Sequence, residues 1–386
     1  MIDTSFSGVS AVIIVPGREL ALQSATVCSN MKCGVRALAL YGGRPTMEEH
    51  RQIKEIKPHI VFCTPGRFND HLDKGNIVPD AIKTVVIDEF DKCLEMGFKN
   101  EMQRLLASLS PSVRRILLSA TDSPFIYQFI KSRHPQRINY SPQEKTQDER
   151  VSINIVRSPE KDKIKILVDL LRSLKDKSSI VFLNYRDSVE RVSQALKDVG
   201  FVVSTFHGGL QQEQREAALY QFSNASANIL VATDLASRGL DIPEIDNIIH
   251  YHLPLDESSY VHRVGRSTRW TAKGKTFFIL SEQEAIPEYV EADHFDYSIP
   301  INLPSPMLPR METIYIGKGK KDKLSKGDIV GFLCKKGYLD AQDIGRIDVK
   351  DRYTYVAVQR KRAAEMLKSI QGEKIKGMKT IVERIK

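Results

Sequence analysis

Cysteine is scarce and poorly placed for cross-linking: the 386 residues hold five, at 28, 33, 63, 93 and 334, an odd total with no C-x-x-C pair. That spacing excludes a disulfide framework and a zinc ribbon, and a reducing, cytoplasmic setting is expected. Long apolar runs are missing too. No stretch of 18 or more apolar residues occurs, which leaves no candidate for a membrane-spanning helix. The opening Met1-Ile-Asp-Thr-Ser-Phe-Ser-Gly8 has no basic segment leading into an apolar one, so no secretory signal is expected. The first four-fifths of the chain also lack any charge excess, since residues 1–310 carry 38 Lys+Arg and 38 Asp+Glu. The net charge of +9 therefore lies wholly within residues 311–386, with 19 basic and 10 acidic side chains. A basic segment on a neutral body suggests a polyanion-binding module, a well-solvated surface being the plain alternative.

What is present is ordinary globular composition, 41% hydrophobic and 27% charged, in a length that suits two or three domains. Short β-branched runs alternate with amphipathic stretches, at 11–15, 59–63, 84–88 and 115–119, then at 179–183, 202–206, 228–232, 247–251 and 275–280. Unbroken strands of this kind fit parallel sheets covered on both faces, so the pattern predicts an α/β architecture with two such sheets. A polar linker at 141–150 separates residues 1–140 from 151–285, and a Pro-rich linker spans 286–310. Residues 311–386 change to strand (312–316), helix (325–336), strand (343–349), strand (353–358), helix (361–370) and strand (380–385). That βαββαβ order is the split-βαβ, RRM-like arrangement.

Two clusters carry chemistry. Val85-Val-Ile-Asp88-Glu89-Phe90-Asp91 ends a buried strand in adjacent carboxylates, where one acid could serve a hydrated Mg²⁺ and the next orient a water. Alone, such a pair is as often a helix cap. In His262-Arg263-Val264-Gly265-Arg266-Ser267-Thr268-Arg269, arginines three apart could turn two guanidinium forks toward one anion, or form a solvated basic turn.

With Pro16-Gly-Arg-Glu-Leu-Ala-Leu-Gln23, Gly42-Gly43, Thr64-Pro-Gly-Arg67, Ser119-Ala-Thr121, Val181-Phe-Leu-Asn184, Gln212-Glu-Gln-Arg215 and Ala232-Thr-Asp-Leu-Ala-Ser-Arg-Gly-Leu-Asp241 in the same order, the chain resembles a DEAD-box RNA helicase. The resemblance implies two RecA-like domains that use ATP and Mg²⁺ and close on one RNA strand. It would have Asp88 hold Mg²⁺ through water and Glu89 orient the attacking water, with Asp91, Ser119 and Thr121 linking nucleotide to RNA. Asp241 would accept the ribose hydroxyl, His262 would border the nucleotide, and Arg266 and Arg269 would stabilise charge on the γ-phosphoryl group. Arg18, Gly43, Thr64 and Arg67, with Gln212, Arg215, Thr233 and Gly239, would contact the RNA backbone.

Departures from the pattern matter as well. Gly17 stands where the family has Thr, Thr268 where it has Gly, and Phe90 where it has Ala; the last is expected to be tolerated because neither carboxylate depends on it. The phosphate-binding loop G-x-x-x-x-G-K-[ST] is not found, and the sole Gly-Lys-Thr, at 274–276, reads as a turn before a strand. A gap inside the first sheet, a longer natural product at the N-terminus and loss of hydrolysis in this chain are therefore expected. With Thr313-Ile-Tyr-Ile-Gly-Lys-Gly-Lys-Lys-Asp-Lys-Leu324, Gly327-Asp-Ile-Val-Gly331, Asp343-Ile-Gly-Arg-Ile-Asp348, Tyr353-Thr-Tyr-Val-Ala-Val358 and Lys374-Ile-Lys-Gly377, residues 312–386 resemble the RNA-binding domain of DbpA-type helicases, which implies structured ribosomal RNA as partner and a place in ribosome assembly. Lys320, Lys321 and Lys323 would contribute charge there. Tyr353 and Tyr355 alternate on one strand, so they either stack bases or belong to a core. A non-hydrolysing RNA-binding protein on the same frame is the alternative function.

Overall fold

The computed structural model describes residues 8–43, 45–121, 125–129, 136–139, 151–236, 245–265, 274–290 and 294–385. Packing divides the chain into two units, residues 1–143 and most of the remainder from 144 to 386. Among the described residues no helix is long and apolar enough to cross a membrane.

The first unit runs β1 (Ala11–Ile14), α1 (Arg18–Asn30), β2 (Ala37–Leu40), α2 (Thr46–Ile56), β3 (Ile60–Cys63), α3 (Pro65–Asp73), β4 (Thr84–Ile87), α4 (Phe90–Glu95), α5 (Lys99–Ala107), β5 (Arg114–Leu117) and α6 (Ile126–Phe129). Its strands form one parallel sheet in the order β2-β3-β1-β4-β5. Alternate residues face opposite sides: Val12 and Ile14 join a core with Phe68, Met102 and Leu105, while Ile13 meets Ala21 and Ala25 of α1. Among the described residues the expected gap inside this sheet does not occur. The five strands pair without interruption, with β2 and β5 as the outer two.

The second unit opens with β6 (Val151–Ser158), α7 (Ile164–Leu174), β7 (Ser179–Phe182), α8 (Arg186–Asp198), β8 (Val203–Phe206), α9 (Gln212–Ser223), β9 (Ile229–Ala232), β10 (Asn247–His250), α10 (Glu257–Val264), β11 (Gly274–Ser281) and β12 (His294–Asp296). These seven strands form a parallel sheet in the order β12-β6-β11-β10-β7-β9-β8. Every residue of β7, β9 and β10 is buried, as a sheet covered on both faces requires. The Gly274-Lys275-Thr276 segment opens β11 between β6 and β10, with Thr276 fully buried. It leads into a strand, as the sequence suggests.

The stretch 286–310 is more than a linker. It supplies β12, paired parallel with β6, packs Tyr297 and Ile299 against the core, and offers the carbonyls of Leu303 and Pro304 to Arg172. Beyond it lie β13 (Met311–Ile316), α11 (Lys326–Lys335), β14 (Ile344–Val349), β15 (Thr354–Gln359), α12 (Arg360–Ser369), a β16–β17 hairpin (Lys374–Ile375, Met378–Lys379) and β18 (Val382–Arg384). The antiparallel order β14-β15-β13-β18 is the predicted split-βαβ sheet. A capping box starts α11, with Ser325 Oγ accepting from the Asp328 amide at 3.3 Å and the Asp328 carboxylate from the Ser325 amide at 2.8 Å. One face of this sheet packs on α11 and α12 through Ile314, Ile316, Val356 and Val358.

Phe90 is more than tolerated. It is fully buried, edge-on to Phe129 with ring centroids 5.1 Å apart. Phe90→Ala should therefore cost about 3–5 kcal/mol, read as a lower urea midpoint; an unchanged midpoint would show that the ring adds nothing to this core.

Candidate functional site

The carboxyl ends of the parallel strands gather the polar groups, because the amide and side-chain positions just beyond a covered sheet are the first that solvent or ligand can reach. After β4, Asp88 donates its amide to the Ile14 carbonyl at 2.9 Å, and its Oδ1 accepts the Glu89 amide at 2.9 Å. Glu89 adopts a left-handed backbone, φ 49°, a conformation costly for a side chain of its kind and concentrated at functional turns. Asp91, at 6% exposure, accepts Thr121 Oγ1 at 2.8 Å, while Ser119 Oγ donates to the Thr121 carbonyl at 2.7 Å. The acidic turn and the Ser-Ala-Thr segment are thus joined directly.

Burial, opposed by the Glu89 amide and reinforced by neighbouring Asp91, lifts the Asp88 carboxyl above its ordinary range. Two hard oxygen donors in a spot that disfavours uncompensated negative charge fit a hydrated Mg²⁺.

Arg18, at the first turn of α1, lies against Gly43, whose φ is +91°; a Cβ there would collide with the guanidinium Nη1. Thr64 precedes α3 and donates its amide to the Leu40 carbonyl at 3.3 Å. Arg67, expected at the RNA backbone, is bonded to four residues of its own unit. Its Nε meets Glu49 at 3.2 Å, Nη1 bonds Thr46 and Asp70, and Nη2 reaches the Tyr41 carbonyl at 3.3 Å. These bonds fix the guanidinium beside Tyr41, the residue that precedes the Gly42-Gly43 turn. Glu49, at 1% exposure, also accepts the Tyr41 amide at 3.0 Å and pairs with His71 Nε2 at 2.9 Å.

In the second unit, Arg263 is fully buried. Its guanidinium bonds both carboxylate oxygens of Asp234, the Asn184 side chain at 2.8 Å, the His252 carbonyl at 2.9 Å and His250 Nδ1 at 3.3 Å. One side chain thereby ties together the segments that follow β7, β9 and β10. Burial, aided by Arg263, pushes the His250 imidazole well below its usual range and keeps it neutral. Sequence reasoning passed over Arg263, although its place between His262 and Arg266 and the Asp234 of the Thr-Asp-Leu-Ala segment were the available signals. His262 is buried on the last turn of α10. Thr233 follows β9 and donates its amide to the Phe206 carbonyl at 3.2 Å. Gln212 and Arg215 share one face of α9, Arg215 Nη2 donating to Gln212 Oε1 at 2.6 Å. Arg266, Arg269, Asp241 and Gly239 lie outside the described residues.

In the C-terminal module Lys320, Lys321 and Lys323, on the turn between β13 and α11, are exposed. The tyrosines resolve toward the core alternative. Tyr355 is 6% exposed and packs on Tyr220 of α9 at 5.2 Å between centroids, while Tyr353 bonds Glu216 at 3.3 Å. Base stacking on Tyr355 is corrected on that ground: its face is already covered.

Three segments match described families: residues 1–129 DEAD/DEAH box helicase, 162–271 helicase conserved C-terminal domain, and 313–384 DbpA RNA binding domain. ATP-dependent RNA helicase DbpA of Escherichia coli (strain K12) is 33% identical over 396 residues, spanning 100% of this chain and 86% of the relative. Its Bacillus subtilis (strain 168) namesake is 29% identical over 406 residues, spanning 97% and 84%. The solved structure of S. cerevisiae Dbp5 bound to RNA and ADP BeF3 shares the fold with a TM-score of 0.67 at 24% identity, covering 76% of this chain and 79% of that one.

Two outcomes follow from the geometry. Because the folded Asp88 carboxyl titrates above the unfolded one, its ionised form weighs against folding at neutral pH, and that penalty fades as pH falls through the folded value. Asp88→Asn should raise the thermal midpoint at about pH 7 and lose the advantage near about pH 4; an equal gain at both would contradict the assignment. Arg263→Lys keeps the charge, but a single ammonium cannot span these partners. It should destabilise the second unit by about 3–5 kcal/mol in urea unfolding, and a loss below about 1 kcal/mol would count against the clamp.

Proposed function

Since the chain belongs to the DEAD/DEAH box helicase family, whose matched relatives are ATP-dependent RNA helicases, we propose that it grips one RNA strand through its backbone and couples that grip to a nucleotide at the acidic turn. The observation that carries this reading is the 2.8 Å bond from Thr121 to buried Asp91, a direct link between the turn bearing Asp88 and Glu89 and the Ser119-Ala-Thr121 segment. Asp88 would hold Mg²⁺ through water, and Glu89 would orient the attacking water. Bound there, the ion neutralises charge on phosphate oxygens. Asp241 would take the ribose hydroxyl, His262 would border the nucleotide, and Arg266 and Arg269 would face the γ-phosphoryl group.

Arg18, Gly43 and Thr64, with Gln212, Arg215, Thr233 and Gly239, would contact sugar and phosphate, which gives grip without sequence reading. We place Arg67 behind them as support. The exposed lysines of the C-terminal module would anchor structured ribosomal RNA, in keeping with the DbpA RNA binding domain match, and ribosome assembly is the corresponding role. Five free thiols accord with a reducing cytoplasm.

Hydrolysis by these 386 residues should be near zero, because the sole Gly-Lys-Thr lies in β11 and no other segment offers the phosphate-binding loop. That same placement favours a second reading, an RNA-binding protein that does not hydrolyse ATP. RNA-stimulated phosphate release and RNA affinity across a salt series test both. Expected are phosphate release at background and an affinity that falls steeply with salt, as counterion release requires; brisk turnover would refute the deficiency, and salt-independent binding the electrostatic anchoring. Expressing the chain behind the phosphate-binding segment of a matched helicase separates the readings: recovered hydrolysis supports the helicase, continued absence the second.

A further inference from the structure

The outer face of the C-terminal sheet is turned toward α9, and the contact is built from satisfied polar groups. Tyr220 donates its hydroxyl to the carbonyls of Arg346 and Tyr355. Asn224 donates to Thr313 Oγ1 at 3.0 Å, and Thr313 in turn to Ser226 at 2.8 Å. Arg360 reaches the Ser226 carbonyl at 3.3 Å, and Arg346 the Ser223 hydroxyl at 3.2 Å. Every residue from 354 to 358 is buried, which a sheet with one open face would not show.

At one end of this contact a continuous chain of hydrogen bonds leaves the sheet and enters the helix. Tyr353 bonds Glu216 Oε2 at 3.3 Å, Gln212 Nε2 donates to Glu216 Oε1 at 3.3 Å, and Arg215 Nη2 donates to Gln212 Oε1 at 2.6 Å. The spacing 212, 215, 216 places all three side chains on one helical face. Burial first, then the Glu216 charge, raises the Tyr353 phenol, so it stays a hydrogen-bond donor throughout the physiological range. Its ring is held by Tyr355 at 4.9 Å and Tyr315 at 5.8 Å. Arg215 is only 6% exposed, and Gln212 is one of the groups that hold it.

We propose that Tyr353 is a positioning residue for RNA contact: from the C-terminal module it acts through Glu216 and Gln212 to fix the Arg215 guanidinium. The tyrosine face of this sheet is thus an internal docking surface that orders the helicase core, and bases are held elsewhere on the module. The inference rests on the reading above that Gln212 and Arg215 touch RNA.

The test is a double-mutant cycle on the full 386-residue chain, read as affinity for a fluorescein-labelled decauridine at low salt. Tyr353→Phe removes one hydroxyl and should weaken binding about 3- to 10-fold. Glu216→Gln, which preserves shape, should weaken it in the same range. In an Arg215→Ala background both changes should lose most of their effect, because only the Gln212 contact is left for them to act through. Losses that simply add, or no loss from Tyr353→Phe, would overturn the proposal while leaving RNA binding intact. An unaltered chain that fails to bind decauridine overturns it together with the RNA reading. Urea midpoints that match the parent's distinguish the effect from unfolding.

Discussion

A guanidinium removed from water must have its donors met inside the protein, and each of the two large sheets is organised at its carboxyl end by one such group. In the first unit Arg67 is met by Glu49, Thr46, Asp70 and the Tyr41 carbonyl. In the second Arg263 is met by Asp234, Asn184, His250 and the His252 carbonyl. The rigid planar fork explains why arginine holds both places, since five donors in fixed directions can pin several loops at once. Loops pinned this way present Gly42-Gly43, Thr64 and Thr233 in defined positions. The surface residues depend on the buried ones.

Much of this was legible from residue order. The apolar runs at 11–15, 84–88, 179–183 and 228–232 became strands because β-branched side chains covered on both faces have few other stable arrangements. Two of the strands that escaped notice show the reason. Ala37–Leu40 alternates Ala with Leu and has no β-branched residue, and Val151–Ser158 interleaves polar side chains; each is a strand because its neighbours supply the pairing, which no local window contains. The acidic turn was readable as chemistry, whereas the Glu49–His71 pair was not. Glu49 sits in the first turn of α2, where an acid usually caps or faces solvent, and nothing local signals that residues 41, 67 and 71 converge on it.

The C-terminal module shows the same limit from another side. Its βαββαβ order follows from alternation and caps, and Tyr353 and Tyr355, two apart on one strand, do share a face. Whether a tyrosine face meets bases or protein is decided by a helix more than 130 residues earlier in the chain. Phe90 makes a related point: its carboxylate neighbours do not need it, yet Phe129 does. Function-first reading of a motif passes over the residues in it that serve only the core.

The stretch 286–310, laid down as β12 and stitched to Arg172, changes how the basic module searches. As a free coil a segment of that length would let the module sweep a radius of about 25–30 Å, diluting its cargo across that volume. Strapped to β6 and seated on α9, the module has no such volume to explore. On the function proposed above, RNA held by it would reach α9 at one fixed offset, so the span between anchoring point and grip, as well as charge, would bear on which strands both can hold.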